Sequence, residues 1–238
     1  MTIVAINGSP NRDGNTAVLL REAIRGAEAQ GVRVEEVFLA DRRIEFCRGC
    51  LSNGSRSFCL SSGRCLIGDD LEEIRAKVAE ADGIILASPS YGIEPTARMK
   101  NFLTDRLGLL SVYTSQLRGK YFIGISTAGA VGAGAVAKKL ARTFATGFFG
   151  RAYASGTLGV SVGHGRPDPD GEAARRAHAL GGRLAEDIRR GRRYPLQLLA
   201  RRAITRFVVR PTITRNILAH RDDRMKAVYE RLAAEGVL

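Results

Sequence analysis

At 238 residues, with 45% hydrophobic and 26% charged side chains, the chain is long enough for one large domain with a real core, or a domain plus an extension. It has no run of 18 apolar residues, which excludes a membrane-spanning helix, and Thr2 leads straight into an apolar run rather than a charged-then-apolar leader, so a cytoplasmic location is expected. The formal net charge of +13 is uneven: residues 1–188 hold 24 basic and 20 acidic side chains, whereas Arg189 to Arg221 include ten arginines and no acid.

The first apolar run, Ile3 to Ile6, breaks into Asn7-Gly8-Ser9-Pro10-Asn11-Arg12-Asp13-Gly14-Asn15-Thr16 and then continues with apolar residues at helical spacing to Ile24. That is strand, polar loop, helix start. The loop offers backbone N–H groups, the Ser9 and Thr16 hydroxyls, the Asn11 and Asn15 amides and a helix N-terminus, all suited to a phosphate. It lacks the three glycines of a dinucleotide fingerprint and the Gly-Lys-Ser/Thr of a P-loop, which leaves a terminal monophosphate. The plainer alternative is an N-capped helix, with Asn15 or Asp13 as cap.

Val32 to Leu39 alternates apolar and charged residues, as an outer strand would. An irregular stretch from Ala40 to Gly68 follows and holds all four cysteines, Cys47, Cys50, Cys59 and Cys65. In a reducing compartment such a cluster points to metal or redox chemistry rather than to disulfides. Asp69-Asp70 reads as the cap of a helix over Leu71 to Glu80, and Gly83 to Ala87 as a central strand. Ser88-Pro89-Ser90-Tyr91-Gly92 is a second polar loop, followed by a helix from Thr96 to Leu107. Lys120 to Ser126 is the next strand, leading into the small-residue loop Thr127-Ala128-Gly129-Ala130-Val131-Gly132-Ala133-Gly134 and a helix over Val136 to Phe144. Ala152 to Val160 reads as a fifth strand, Gly165 to Gly171 as a turn region and Glu172 to Arg190 as a helix.

Five alternations of strand and helix predict a right-handed, doubly wound, five-stranded parallel sheet of the α/β class, with strand order 2-1-3-4-5. The ligand crevice of such a sheet lies at the carboxyl ends of strands one, three and four. Those are the strands that carry the Gly/Ser/Thr loops.

Residues 191–238 are expected to form a basic helical extension to a domain spanning 1–190. One helix is predicted from Leu196 to Phe207, ending at Pro211, and a second from Thr212 or Thr214 to Ala234. Three roles are open to the arginines: snorkelling from an apolar seam against a sister subunit, lying on an anionic membrane, or binding nucleic acid. The first is preferred, and the stretch lacks a recognised nucleic-acid-reading motif.

A monophosphate loop, an aromatic loop and a glycine-rich loop on one crevice suit flavin mononucleotide. Tyr91 is placed to lie on the isoalloxazine face, a contact worth on the order of 1 kcal/mol beyond area burial. Backbone N–H groups of Gly92 and of Thr127 to Gly129 would face the pyrimidine edge. The alternative for Tyr91 is a half-buried core tyrosine.

Several motifs in order carry a resemblance. They are Asn7-Gly8-Ser9-Pro10 with Gly14-Asn15-Thr16, then Cys47-Arg48-Gly49-Cys50, and Cys65 before Asp69-Asp70. Further on come Ala81-Asp82-Gly83-Ile84-Ile85 with Ser88-Pro89-Ser90-Tyr91, Met99-Lys100-Asn101-Phe102 with Asp105-Arg106, and Thr127-Ala128-Gly129. Together they resemble the flavodoxin-like, NAD(P)H-dependent FMN reductases and, within them, the iron–sulfur flavoprotein branch.

The resemblance implies a flavodoxin-like fold, with Ser9, Pro10, Asn11, Asn15 and Thr16 around the FMN phosphate. Pro89, Ser90, Tyr91 and Gly92 would touch the ring, and Thr127, Ala128 and Gly129 would line its other edge. Lys100, Asp105 and Arg106 would be structural. A homodimer or homotetramer with the flavin near the interface is implied as well. The cysteines depart from the branch's Cys-x2-Cys-x2-Cys-x5-Cys pattern: here the gaps are two, eight and five residues, as if 53–58 had been inserted. Four thiolates still suit a [4Fe–4S] cluster, since loop closure costs grow slowly with length. A tetrahedral zinc site and unligated thiols are the alternatives.

The function expected is an FMN-dependent oxidoreductase, with NAD(P)H as co-substrate. Electrons would pass to a quinone, a free flavin, another small conjugated acceptor or a redox-protein partner, with the cluster as a relay. The rivals are an electron carrier with no turnover of its own and a biosynthetic FMN-dependent dehydrogenase. His164 is a candidate proton donor or, more simply, a loop residue. No acid–base pair or Ser/His/Asp set stands out.

Overall fold

The sheet is built on β1 (Thr2–Asn7), whose apolar side chains are buried on both faces. In the computed structural model the residues described are 1–50, 59, 63–112, 114–145, 147–149, 151–163, 165–168, 170–223 and 225–238. β1 pairs in parallel with β2 (Arg33–Phe38) on one side and with β3 (Gly83–Ala87) on the other. β3 pairs with β6 (Tyr121–Ala128), and β6 with β7 (Tyr153–Ser161). The order β2-β1-β3-β6-β7 is the expected doubly wound arrangement, with β2 exposing Arg33 and two glutamates at the edge.

Two apolar clusters sandwich the sheet. On one face lie α1 (Asn15–Glu28) and α6 (Glu172–Arg190), with Leu19, Leu20, Leu180 and Leu184 packed on Ile3, Ala5, Ile85 and Ile123. Their axes approach so closely that a Cβ at Gly181 would stand 1.8 Å from the carbonyl oxygen of Ala23. On the other face lie α2 (Leu71–Glu80), α3 (Ala97–Lys100), α4 (Leu107–Leu110) and α5 (Ala133–Arg142). Leu71, Ile74, Phe102, Val136 and Leu140 pack there on Val4, Ile6, Ile84 and Phe122.

Three local expectations change around the sheet. The segment after β3 is not a plain loop. It folds as a two-stranded antiparallel hairpin, β4 (Ser90–Tyr91) against β5 (Glu94–Pro95). Gly92 and Ile93 form its tip with φ of 59° and 64°, the signs that a two-residue type I′ turn requires. The helix expected to end at Leu107 continues to Leu110, with a π-helical segment, Asn101–Arg106, between α3 and α4. β6 is longer than expected, so Thr127 and Ala128 are its last residues rather than loop.

In the extension, Pro211 does not end a helix. α7 (Leu199–Ile204) passes through a π segment, Thr205–Val209, into α8 (Arg210–Ala219). A proline in a helix interior leaves a carbonyl without its donor, and a preceding wide turn is one way to absorb that loss. The second predicted helix is correspondingly split, and α9 (Lys226–Ala234) follows a turn at His220. Ile217, Val228 and Leu232 are buried with Phe149 in a small separate cluster. Glu235 also accepts from Ser115 N at 2.8 Å, tying the extension to the sheet domain.

Candidate functional site

The carboxyl ends of β1, β3 and β6 open on one crevice of about 250 Å³. Ser9, Pro10, Asn11, Asn15, Thr16, Pro89, Ser90, Tyr91, Thr127, Ala128 and Gly129 all line it. Gly92 does not: it sits at the hairpin tip, where its positive φ shapes the turn that presents Tyr91. Gly14, Val162 and Gly163 line the crevice too and were missed from the sequence. Val162 and Gly163 follow β7, and the rule that ligands sit at strand carboxyl ends extends to that fifth strand. His164 lies outside the described residues.

The phosphate-loop candidate is organised by its own side chains. Asn7 Oδ1 accepts from Ser9 N at 3.0 Å, Ser9 Oγ from Asn11 N at 3.1 Å, and Asn11 Oδ1 from Asp13 N at 2.9 Å. Neither Asn15 nor Asp13 caps α1. The cap position is Gly14, with no side-chain hydrogen bond, so the positive end of a 14-residue helix faces the crevice uncapped. Thr16 Oγ1 and Thr127 Oγ1 are hydrogen-bonded at 2.7 Å in a buried pair that ties the first loop to the end of β6.

The middle wall is fixed just as closely. Gly8 N donates to Ala87 O at 2.8 Å, and Thr96 Oγ1 donates to Gly8 O at 2.7 Å while capping α3 by accepting from Met99 N. Ser88 Oγ accepts from Thr96 N at 3.0 Å. Ser90 Oγ is buried on the crevice wall without a hydrogen-bond partner among the described residues. Gly132, with φ of 97°, backs this wall, and a Cβ there would stand 2.8 Å from Ser90 Oγ. Tyr91 is 58% exposed, so its ring is not the half-buried core tyrosine of the alternative reading. Ile93 is a β-branched residue in the left-handed region, which is costly and recurs at functional sites. An open helix end, an orphaned hydroxyl, backbone N–H groups and an exposed ring fit a phosphate joined to a planar heterocycle.

The second candidate centre follows β2 at the same edge of the sheet. Cys47, Cys50, Cys59 and Cys65 line one small pocket of about 20 Å³, together with Asp105, Arg106 and Leu109. The 53–58 segment lies outside the described residues. Four thiols on one pocket are a donor set that fits an iron–sulfur cluster or a tetrahedral zinc alike. Among the described residues no three His, Cys, Asp or Glu side chains form a ready-made single-ion site.

Arg106 anchors this region and is fully buried. It meets Asp69 through Nη1–Oδ2 at 2.8 Å and Nη2–Oδ1 at 3.2 Å, donates to Glu45 O, and donates to Cys65 Sγ at 3.3 Å. Burial pushes the Asp69 carboxyl up, but hydrogen bonds from Arg106 and from the backbone N–H groups of Glu45 and Leu71 outweigh it and hold the carboxyl below the ordinary range. Asn101 Nδ2 donates to Ile44 O and Glu45 O. The π segment thus pins both flanks of the cysteine stretch, because its wider turn lets Asn101 and Arg106 reach the same strand of backbone. At the other side Arg12 of the first loop pairs with Asp41 and lies over the Phe38 ring.

Comparison with known proteins agrees with this geometry. Residues 1–165 match the family model described as NADPH-dependent FMN reductase. Over 121 residues the chain is 39% identical to an iron–sulfur flavoprotein of Archaeoglobus fulgidus, covering 51% of each chain. It is 41% identical over 120 residues to one of Methanocaldococcus jannaschii, covering 50% of this chain and 58% of that one. The chain therefore spans about half the length of the curated relatives it matches. A structure of RosB with a bound 8-demethyl-8-formylriboflavin-5′-phosphate intermediate superposes with a TM-score of 0.60 at 19% identity, covering 87% of this chain and 86% of that one. An NAD(P)H:quinone oxidoreductase from Methanothermobacter marburgensis gives 0.57 at 16%, covering 82% and 98%. At such identities these two likenesses establish the fold. Family match, topology and crevice together make one assignment: this chain belongs to the NADPH-dependent FMN reductase family.

Proposed function

We propose that the protein is an FMN-dependent oxidoreductase that draws electrons from a reduced nicotinamide and hands them to a quinone, a free flavin or another small conjugated acceptor. The observation that carries this reading is the crevice, where three loops offer phosphate donors on one side and Tyr91 on the other. Ser9, Asn11, Asn15, Thr16 and the open end of α1 would hold the phosphate. Pro89, Ser90 and Tyr91 would flank the ring, and Thr127 to Gly129 would present backbone N–H groups to its polar edge. When bound, FMN supplies the two-electron chemistry, and the chain supplies position and dipoles. The Thr16–Thr127 bond and the Thr96–Gly8 clasp keep these donors from reorganising, which is how a fixed polar wall assists a change of charge.

Protein purified without oxygen and loaded with FMN is expected to bleach on adding NADH or NADPH at a rate that supports turnover with a quinone. A yellow protein that neither nucleotide bleaches would leave an electron carrier in place of an enzyme. A protein that stays colourless in excess FMN would remove the reading altogether.

The cysteine pocket supports a second element of the proposal, a [4Fe–4S] cluster on Cys47, Cys50, Cys59 and Cys65 that exchanges single electrons with a redox-protein partner. Iron and acid-labile sulfide, near four of each per chain in protein made and purified anaerobically, are the expected result. Cys50→Ala and Cys65→Ala should lose both while retaining flavin. A homodimer or homotetramer is proposed as the working form, to be read from the solution mass.

A further inference from the structure

A second cavity, of about 460 Å³, lies between α7, the π segment after it and the loops that precede β6 and β7. Arg118 and Arg151 stand just before those strands, at the opposite end from Thr127 and Val162. β6 is eight residues long, so roughly 25 Å of strand separates the two cavities. The far cavity is thus no part of the flavin crevice.

Five arginines line it: Arg118, Arg151, Arg202, Arg206 and Arg210. Among the described residues no acidic side chain does. The partners these guanidinium groups have there are neutral. Arg151 donates to Tyr194 O and lies over the Tyr153 ring, Arg202 donates to Pro195 O, and Arg210 donates to Val237 O at 3.0 Å and lies over the Phe149 ring. Among the described residues Arg151 Nε is buried with no hydrogen-bond partner, and burial and the nearby charge of Arg202 both pull the Arg151 pKa down. Concentrated positive charge that no described side chain neutralises calls for an anion from outside.

The same helix shows what carries the anion. No residue of Leu199–Ile204 or Thr205–Val209 is buried. Leu196, Leu199, Ile204, Phe207 and Val208 are all more than half exposed, and Phe207 is 72% exposed beside the arginine cavity. Positions 199, 203, 204, 207 and 208 fall on one side of a helix, with Arg202, Arg206 and Arg210 flanking them. A free phosphate would use the arginines and leave the apolar stripe unexplained. A nucleic acid would leave it in water as well.

We propose that α7 and the π segment form an interfacial element that docks on an anionic lipid bilayer, with lipid phosphates entering the arginine cavity and Leu199, Ile204, Phe207 and Val208 resting in the headgroup–acyl boundary. The ten acid-free arginines of residues 189–221 supply the longer-range attraction. The sheet domain is then held at the surface by its end remote from the flavin crevice, which stays open to the aqueous side.

The test is flotation of the full chain with phosphatidylglycerol vesicles and with phosphatidylcholine vesicles, at about 0.1 M and about 0.5 M salt. Binding to the anionic vesicles that weakens with salt, and none to the neutral ones, is expected. Arg202→Gln and Arg206→Gln should each weaken it roughly fivefold. The exposed pair Phe207→Ser with Val208→Ser should weaken it too, with an unchanged far-UV circular dichroism spectrum. Equal flotation with both vesicle types would overturn the proposal. So would indifference to the Phe207/Val208 change, which would reduce the cavity to a soluble-anion site. Tight binding of a labelled DNA duplex that outcompetes the vesicles, or a Phe207/Val208 variant that drops from oligomer to monomer while floating normally, would assign the surface to nucleic acid or to a sister copy instead.

Discussion

Thr16 and Thr127 are 111 residues apart, yet their hydroxyls share one buried hydrogen bond that closes the crevice. Thr16→Val should destabilise the flavin-free protein by about 1–3 kcal/mol, because it strands the Thr127 hydroxyl. The double change to valine should cost less than the sum, and a double-mutant cycle in urea would show it. Gly132 is a second sensitive position. Its φ of 97° and the 2.8 Å approach to Ser90 mean that Gly132→Ala should cost about 1–2 kcal/mol in backbone strain and loosen FMN binding, read by quenching of flavin fluorescence. Both threonines could be picked from the sequence as crevice residues. Their bond to one another could not, since no local pattern links positions so far apart.

At the scale of an element, the segment Ala97–Leu110 was legible as a helix and its irregularity was not. Its π turn depends on what Asn101 and Arg106 reach, the backbone of Ile44 and Glu45 and the carboxylate of Asp69. Arg106→Met should destabilise the fold by about 3–5 kcal/mol, because it leaves the Asp69 charge buried and unpaired. Asp69 also sets an acid dependence. Its folded pKa is depressed, so its contribution is complete above the unfolded value of 3.8 and is lost as pH falls from there toward the folded value. The stability gap between wild type and Asp69→Asn, measured by denaturant melts, should therefore be flat down to about pH 5 and narrow below it. The hairpin over Ser90–Pro95 was read as loop for a similar reason. Gly92 signals a turn, but Ile93 at a left-handed position runs against its own propensity.

For the whole molecule, residues 191–238 bury an apolar cluster that is distinct from the two flanking the sheet and closes on Phe149, in the loop before β7. Phe149→Ala should remove the centre of the cluster with Ile217, Val228 and Leu232 and lower hydrogen-exchange protection across α8 and α9. Protection in β1, β3 and β6 should hold, because their packing belongs to other clusters. Equal loss in both regions would show that they unfold as one.

By itself the sequence determined the strand order, because alternating apolar strands and helices with right-handed crossovers leave few ways to close a five-stranded parallel sheet. It also determined which three loops carry donors, since glycine, serine, threonine and asparagine cluster after the strands that end at the crevice. Only the tertiary structure decided the rest: the hairpin, the π turn, the path of the helix through Pro211 and the gathering of four cysteines on one pocket. Each depends on partners dozens of residues away, and contacts at that range leave no periodic trace in the chain that makes them.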